Sequence, residues 1–247
     1  MAIDLNCDMG EGAGEDAGIL PFVSSVNVAC GFHAGDPTTI RETIRLAAHH
    51  GVAVGAHPSY PDRAGFGRLA MDRPADRVRD DVLYQVAALR GFCAAEGVRL
   101  VHVKPHGALY NAAAQDPALA RAIATAVREV DPELVLVCLA GSPMVGVVRS
   151  LGLRCAEEAF ADRGYTPGGT LVPRGAPGAL IEDPGSVAER VAGLARDGRL
   201  TAVDGRPVAV AADTVCLHGD TPGAAALARA IRERLAREGI EVRALTG

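Results

Sequence analysis

Residues 2–18 read AIDLNCDMGEGAGEDAG, and the fold depends on how their glycines are interpreted. Residues 12–17, GAGEDA, fit the glycine fingerprint of a dinucleotide-binding turn placed directly after a strand. Such a turn needs a helix that starts among the glycines, so that its free amides face a pyrophosphate. Here Glu11, Glu15 and Asp16 would repel that anion, and Pro21 limits any helix. The phosphate reading is therefore disfavoured, and no G-x-x-x-x-G-K-[ST] stretch offers another one. The segment reads instead as a strand ending in acid, with glycines making a tight turn beside Asp8. Alternate side chains of a strand share a face. Asp4, Asn6 and Asp8 thus lie on one side, and Ile3, Leu5 and Cys7 on the other.

The same kind of strand recurs along the chain. Residues 24–33, 51–57, 98–106, 133–141, 153–160 and 213–220 are β-rich runs, which with the first makes seven. Amphipathic segments alternate with them, at 37–51, 75–97, 116–130 and 221–239. Three of these end at a glycine, Gly51, Gly97 and Gly239, the residue best suited to a left-handed C-terminal cap. Strand, helix and strand at this spacing mean parallel βαβ units. Seven suggest an α/β chain closed into a barrel. A doubly wound open sheet remains the alternative, because periodicity does not say whether the edges meet.

Composition agrees with an enzyme of this class. The 247 residues, 49% of them hydrophobic, suffice for one barrel domain spanning 1–247. Six cysteines form no C-x-x-C pair and mostly sit in apolar runs, which favours a reduced, cytoplasmic protein. The first residues lack the pattern of a secretory signal, and no apolar run is long enough to span a bilayer. A net charge of −5 and sparse aromatics speak against nucleic-acid binding.

Five of the seven runs end in His, Asp, Lys or Asn: DLNCDMGE, NVACGFHAGD, VGAHPSYPD, VKPHGALYN and CLHGDTPG. That is the end at which α/β proteins build their sites. Four of the seven histidines, His33, His57, His106 and His218, stand there. His49 and His50 belong to a helix end, and His102 within a strand reads as a core histidine or a support behind the site. Two connections, 57–77 and 161–185, are longer than ordinary and rich in Gly, Pro and Arg, as lids and binding loops are. Their Arg63, Arg68, Arg163 and Arg174 suit a carboxylate or phosphate.

Residues 4–12, 27–37, 55–68, 103–111, 160–165, 171–174 and 216–224 together resemble the signature blocks of the LamB/YcsF family, in the same order. The resemblance departs at Gly168, where the family pattern carries Asp. It implies a seven-stranded (β/α) barrel of the glycoside hydrolase/deacetylase type. It also implies opening of the lactam of 5-oxo-L-proline to L-glutamate, coupled to ATP hydrolysis, with the B and C subunits of a 5-oxoprolinase as partners. A lactam is a poor electrophile, so its hydrolysis needs an activated carbonyl oxygen, a positioned water and a protonated leaving nitrogen. On that footing Asp8 and His57 are expected as base or metal ligands, His106 as acid or base, and Lys104 against developing negative charge. Asn6, His33, Arg63, Arg68, His218 and Asp220 are expected around the substrate. One rival is a metal-dependent deacetylase or amidohydrolase needing no ATP, with a divalent ion on Asp8, His33 and His57. The other is a non-catalytic substrate-binding subunit.

Overall fold

The computed structural model describes residues 1–12, 15–173, 175–219, 221 and 223–245. Seven parallel strands form its centre: β1 (Ala2–Met9), β2 (Ser25–Ala29), β3 (Ala53–His57), β4 (Leu100–Val103), β5 (Val135–Leu139), β6 (Arg154–Phe160) and β7 (Thr214–Leu217). They pair in chain order, and β7 also pairs with β1, aligning Asp4 with Thr214 and Asn6 with Cys216. That last ladder closes the barrel and removes the open-sheet alternative. A two-residue strand, Glu241–Val242, adds to the start of β1 outside the ring.

Among the described residues, seven helices of eight or more residues cover the outside: α1 (Pro37–His49), α2 (Ala75–Ala95), α3 (Gly107–Gln115), α4 (Pro117–Val130), α5 (Pro143–Ser150), α6 (Pro184–Asp197) and α7 (Ala224–Arg237). Their starts follow local chemistry. Asp36 accepts hydrogen bonds from the amides of Thr38 and Thr39, with Pro37 in the first turn. Asp116 and Asp183 cap α4 and α6 in the same way. α1 buries Ile40, Thr43, Ile44 and Ala47, one stripe at helical spacing. Three helices, α3, α5 and α6, lie outside the amphipathic segments read from the sequence, the first because GALYNAAAQ continues directly from a strand-end motif. The hairpin Arg199–Thr201 with Pro207–Ala209 is a further addition, turning on Asp204-Gly205. No helix among the described residues is long and apolar enough to cross a membrane.

Among the described residues, the opening glycines are not followed by a helix long enough to cradle a phosphate. Gly10 and Gly12 adopt left-handed φ of 73° and 81°, and the helix that follows, Asp16–Ile19, has only four residues. The Gly10 amide donates to the Asp16 carboxylate at 2.9 Å, so a protein acid occupies the place of an anionic ligand. Ala13 and Gly14 lie outside the described residues.

The lumen of this barrel is polar. Ordinary (β/α) barrels fill it with branched apolar side chains, but here Asp4, Asn6, Ser25, Asn27, His102, Lys104, Glu158 and Thr214 are all buried. β3 contributes Gly55 at the level of His102, and a Cβ there would sit 2.1 Å from His102 Nε2. The glycine is what admits the imidazole. The polar face expected from alternation on β1, Asp4-Asn6-Asp8, points into this enclosure, and so do His102 and Lys104 at β4.

Candidate active site

A cleft of about 870 Å³ opens over the C-terminal ends of the strands. Asp8, His57, Lys104, His106, Phe160 and His218 line its floor, and residues 168–173 of the second long loop form one wall. Each floor residue follows or ends an apolar strand, which makes a rigid mount for polar groups.

Asp8 sits at the centre of the floor. Its Oδ1 accepts from Lys104 Nζ at 3.0 Å and Asn27 Nδ2 at 2.9 Å, and its Oδ2 lies 3.3 Å from His57 Nε2. Burial drives the carboxyl up, but His57 and Lys104 outweigh it and hold Asp8 well below the usual carboxylate range. Lys104 is 3% exposed and faces inward, to Asn6 Oδ1 (3.2 Å), Cys216 Sγ (2.9 Å) and Glu158 Oε1 (3.0 Å) as well as Asp8. Burial alone would neutralise this ammonium; Asp8 and its other neighbours keep it charged, well above its ordinary value. Its three hydrogens are spent within the protein, so Lys104 fixes the charge of Asp8 rather than standing free against a substrate.

The network continues downward. Asn6 Nδ2 donates to Glu158 Oε1 and Thr214 Oγ1, and Thr214 donates to Asp4 Oδ2. Asn27 Nδ2 also donates to Asn6 Oδ1, and its own oxygen accepts from His102 Nε2 at 2.7 Å. Burial raises Asp4 and drives His102 down to about 3. His102 is thus a neutral support beneath the site, and Asn6 lies under the floor instead of lining it.

Glu11, His33, His57 and His106 form a second group, with ligand atoms within 4.8 Å of one another. His57 Nδ1 lies 2.7 Å from the Lys104 carbonyl and His106 Nε2 lies 2.9 Å from the Phe66 carbonyl. A carbonyl only accepts, so both of those nitrogens carry hydrogen. The remaining nitrogens, His57 Nε2 and His106 Nδ1, face each other at 2.9 Å. Two lone pairs so placed need a proton or a cation between them. Burial pulls His106 far below its ordinary value and His33 down to about 3, whereas Asp8 overcomes burial at His57 and raises it. A shared proton therefore belongs to His57.

The same geometry fits a metal ion. Glu11 Oε1 lies 2.8 Å from His33 Nε2, 3.5 Å from His106 Nδ1 and 3.8 Å from His57 Nε2. His57 and His106 carry the outer carbonyl contacts that metal-ligating imidazoles normally have. His33 Nδ1 is buried without a partner among the described residues, so His33 is the least supported ligand. Asp8, expected with His33 and His57 as a metal triad, bridges Lys104 and His57, and the carboxylate clustered with His33, His57 and His106 is that of Glu11. No sequence signal marks Glu11 for that role, because it follows its strand by two residues, past a glycine, where strand parity no longer applies.

The arginines separate. Arg68 lines the cleft with its guanidinium 4.9 Å from the Phe66 ring centre. Arg63 donates to the carbonyls of Gly31 and Gly35 and ties two loops together away from the cleft. Arg163 is buried and holds the second loop through the carbonyls of Ala179 and Val172. Arg174 and Asp220 lie outside the described residues. At the β6–β7 side His218 lines the cleft with Nδ1 against Asp162, a buried acid that sequence reasoning did not single out.

Comparison with known proteins agrees with this architecture. The A subunit of a 5-oxoprolinase from Bordetella pertussis is 55% identical over 98% of each chain. Its counterpart of the same name from Pyrococcus furiosus is 48% identical over 98% of this chain and 97% of its own. The crystal structure of a lactam utilization protein from Thermus thermophilus superposes with a TM-score of 0.94 at 51% identity, covering 99% of this chain and all of that one. A family 4 carbohydrate esterase from Streptomyces lividans, 11% identical with a TM-score of 0.51 over 98% of this chain and 91% of its own, shares the fold alone. The LamB/YcsF family model matches residues 3–247, and the chain belongs to that family.

Proposed function

We propose that this chain is the A subunit of a 5-oxoprolinase, a hydrolase that opens the lactam of 5-oxo-L-proline to L-glutamate with ATP hydrolysis. It works with B and C partner subunits, in the cytoplasm. The observation that carries the reading is the buried Asp8–Lys104–His57 group under a roomy cleft, in a chain this similar to proteins named as the A subunit of 5-oxoprolinase. A cleft of about 870 Å³ is larger than a nine-heavy-atom lactam needs and leaves room for a second reactant.

The lactam carbonyl must be made electrophilic, and phosphoryl transfer from ATP to its oxygen does so. Asp8, kept anionic by Lys104, positions water against the carbonyl carbon and takes its proton, while His57, held by the Lys104 carbonyl, stands beside that carboxylate. His106 orients His57, since both its nitrogens are engaged. Arg68 provides positive charge at the cleft edge for the substrate carboxylate or a phosphate.

The test is glutamate release from 5-oxoproline with ATP, by the chain alone and then with the B and C subunits. Turnover is expected only with the partners. Full-rate, ATP-dependent turnover by the isolated chain would remove the partner requirement, and no glutamate in either case would remove the activity.

A second reading is favoured by the facing nitrogens of His57 and His106: Glu11, His57 and His106, with His33 behind, hold a divalent ion. Bound there, the ion would supply a Lewis acid that lowers the pKa of water. Zinc is then expected to raise the melting temperature of the full chain, and Glu11→Gln to abolish that rise. A titration in which the wild type shows no shift would leave the pair to a shared proton.

A further inference from the structure

Three of the four strand-end imidazoles have no nitrogen left for a substrate. His57 and His106 bond backbone carbonyls on one side and face each other on the other. His33 gives Nε2 to Glu11, and its Nδ1 is buried. His218 differs. Its Nδ1 lies 2.9 and 3.0 Å from the two oxygens of Asp162, and its Nε2 has no hydrogen-bond partner among the described residues. The ring lines the cleft and its side chain keeps 11% exposure.

The surroundings hold the ring in one orientation. Asp162 is fully buried and takes a second hydrogen bond from the Thr221 hydroxyl at 3.0 Å. Phe160 stacks on the imidazole at 5.4 Å with 11° between the planes, and the Lys104 ammonium lies 5.7 Å from the Phe160 ring centre. A carboxylate that accepts from Nδ1–H fixes the tautomer and stabilises the imidazolium, so Nε2 is the atom left to exchange a proton with a ligand.

We propose that His218, oriented by Asp162, is the proton donor to the departing lactam nitrogen. This rests on the 5-oxoprolinase reading and divides the chemistry across the rim. The β1–β4 side handles water; the β6–β7 side handles the leaving group. The oxygen of water bonds to the carbonyl carbon and its proton passes to Asp8. The C–N bond then breaks with its electron pair going to nitrogen, the His218 Nε2–H proton is transferred to that nitrogen, and the acyl phosphate so formed releases phosphate and glutamate when a second water adds to its carbonyl carbon. The neutral imidazole recovers a proton from solvent through the open cleft. Asp162 touches no reacting atom and acts as a positioning residue.

The test uses the complex of this chain with the B and C subunits. Two substrates are compared: 5-oxoproline and the corresponding five-membered lactone, which leaves through oxygen and depends less on protonation. His218→Gln is expected to lower kcat on the lactam at least ~100-fold with little change in KM, and far less on the lactone. Added imidazole should restore part of the lactam rate to His218→Gly. Asp162→Asn should lower kcat on the lactam in the same direction and, like His218→Gln, largely spare the lactone, which a merely structural role would not do. Melting curves check that each variant is folded, with His218→Asn as the second choice. Equal losses on lactam and lactone, or a raised KM with kcat intact, would overturn the proposal and leave His218 as a binding residue. A wild-type complex that releases no glutamate would instead overturn the functional reading, and this inference with it.

Discussion

Asp8→Asn is expected to lower turnover by at least ~100-fold while the chain still melts as a folded protein. Asn can keep an oxygen toward Lys104 and Asn27, which now donate to Asp8 Oδ1. Its amide NH₂ then faces His57 Nε2, where the carboxylate oxygen lies at 3.3 Å. The negative charge that holds a proton on His57 against burial is gone, and the amide that replaces the carboxylate cannot take a proton from water. The structural loss is limited, because Glu158 still faces the Lys104 ammonium at 3.0 Å. Activity and melting temperature measured on one preparation separate the two roles. A normally folded Asp8→Asn chain that retains its activity would remove Asp8 from the mechanism.

Lys104→Met should cost both stability and activity. Methionine fills much of the lysine volume, so little of the loss is packing. What it leaves is two buried carboxylates, Asp8 and Glu158, without the cation between them. Breaking a buried pair by removing one partner costs about 3–5 kcal/mol. For a chain of this size that lowers the melting temperature by roughly 2–4 °C per kcal/mol. The double variant Lys104→Met/Glu158→Gln should recover part of that loss, since it removes one of the stranded charges. Turnover should not recover with it, because Asp8 still lacks its cation. Additive destabilisation in the double variant would show that Lys104 and Glu158 do not interact.

Much of the fold is legible in the sequence because it rests on local periods. The two-residue alternation of β1 separates Asp4, Asn6 and Asp8 from Ile3, Leu5 and Cys7, and the lumen and outer faces follow that division. Asp36-Pro37, Asp116-Pro117 and Asp183-Pro184 mark helix starts, although periodicity traces only the first two helices. Composition locates the long loops with their arginines, yet not which arginine meets the cleft. Arg63 donates to the carbonyls of Gly31 and Gly35 in another loop, a partnership no local pattern encodes, and Arg163, which lines the cleft beside Arg68, donates to the carbonyls of Val172 and Ala179 in its own loop.

The sequence by itself determined seven strands, the face each presents and the acidic and imidazole groups at their ends, because strand alternation and capping act between near neighbours. Only the tertiary structure decided that the strands close into a ring, since closure needs Asp4 to align with Thr214 across nearly the whole chain. With closure came everything that depends on distance. Lys104 is turned from a free cation into the clamp on Asp8, Glu11 is brought back over His33 and His106, and Asp162 is set behind His218. Hydrogen-bond partners and proton positions fall off within a few ångströms, so they belong to the packed arrangement and not to the order of residues.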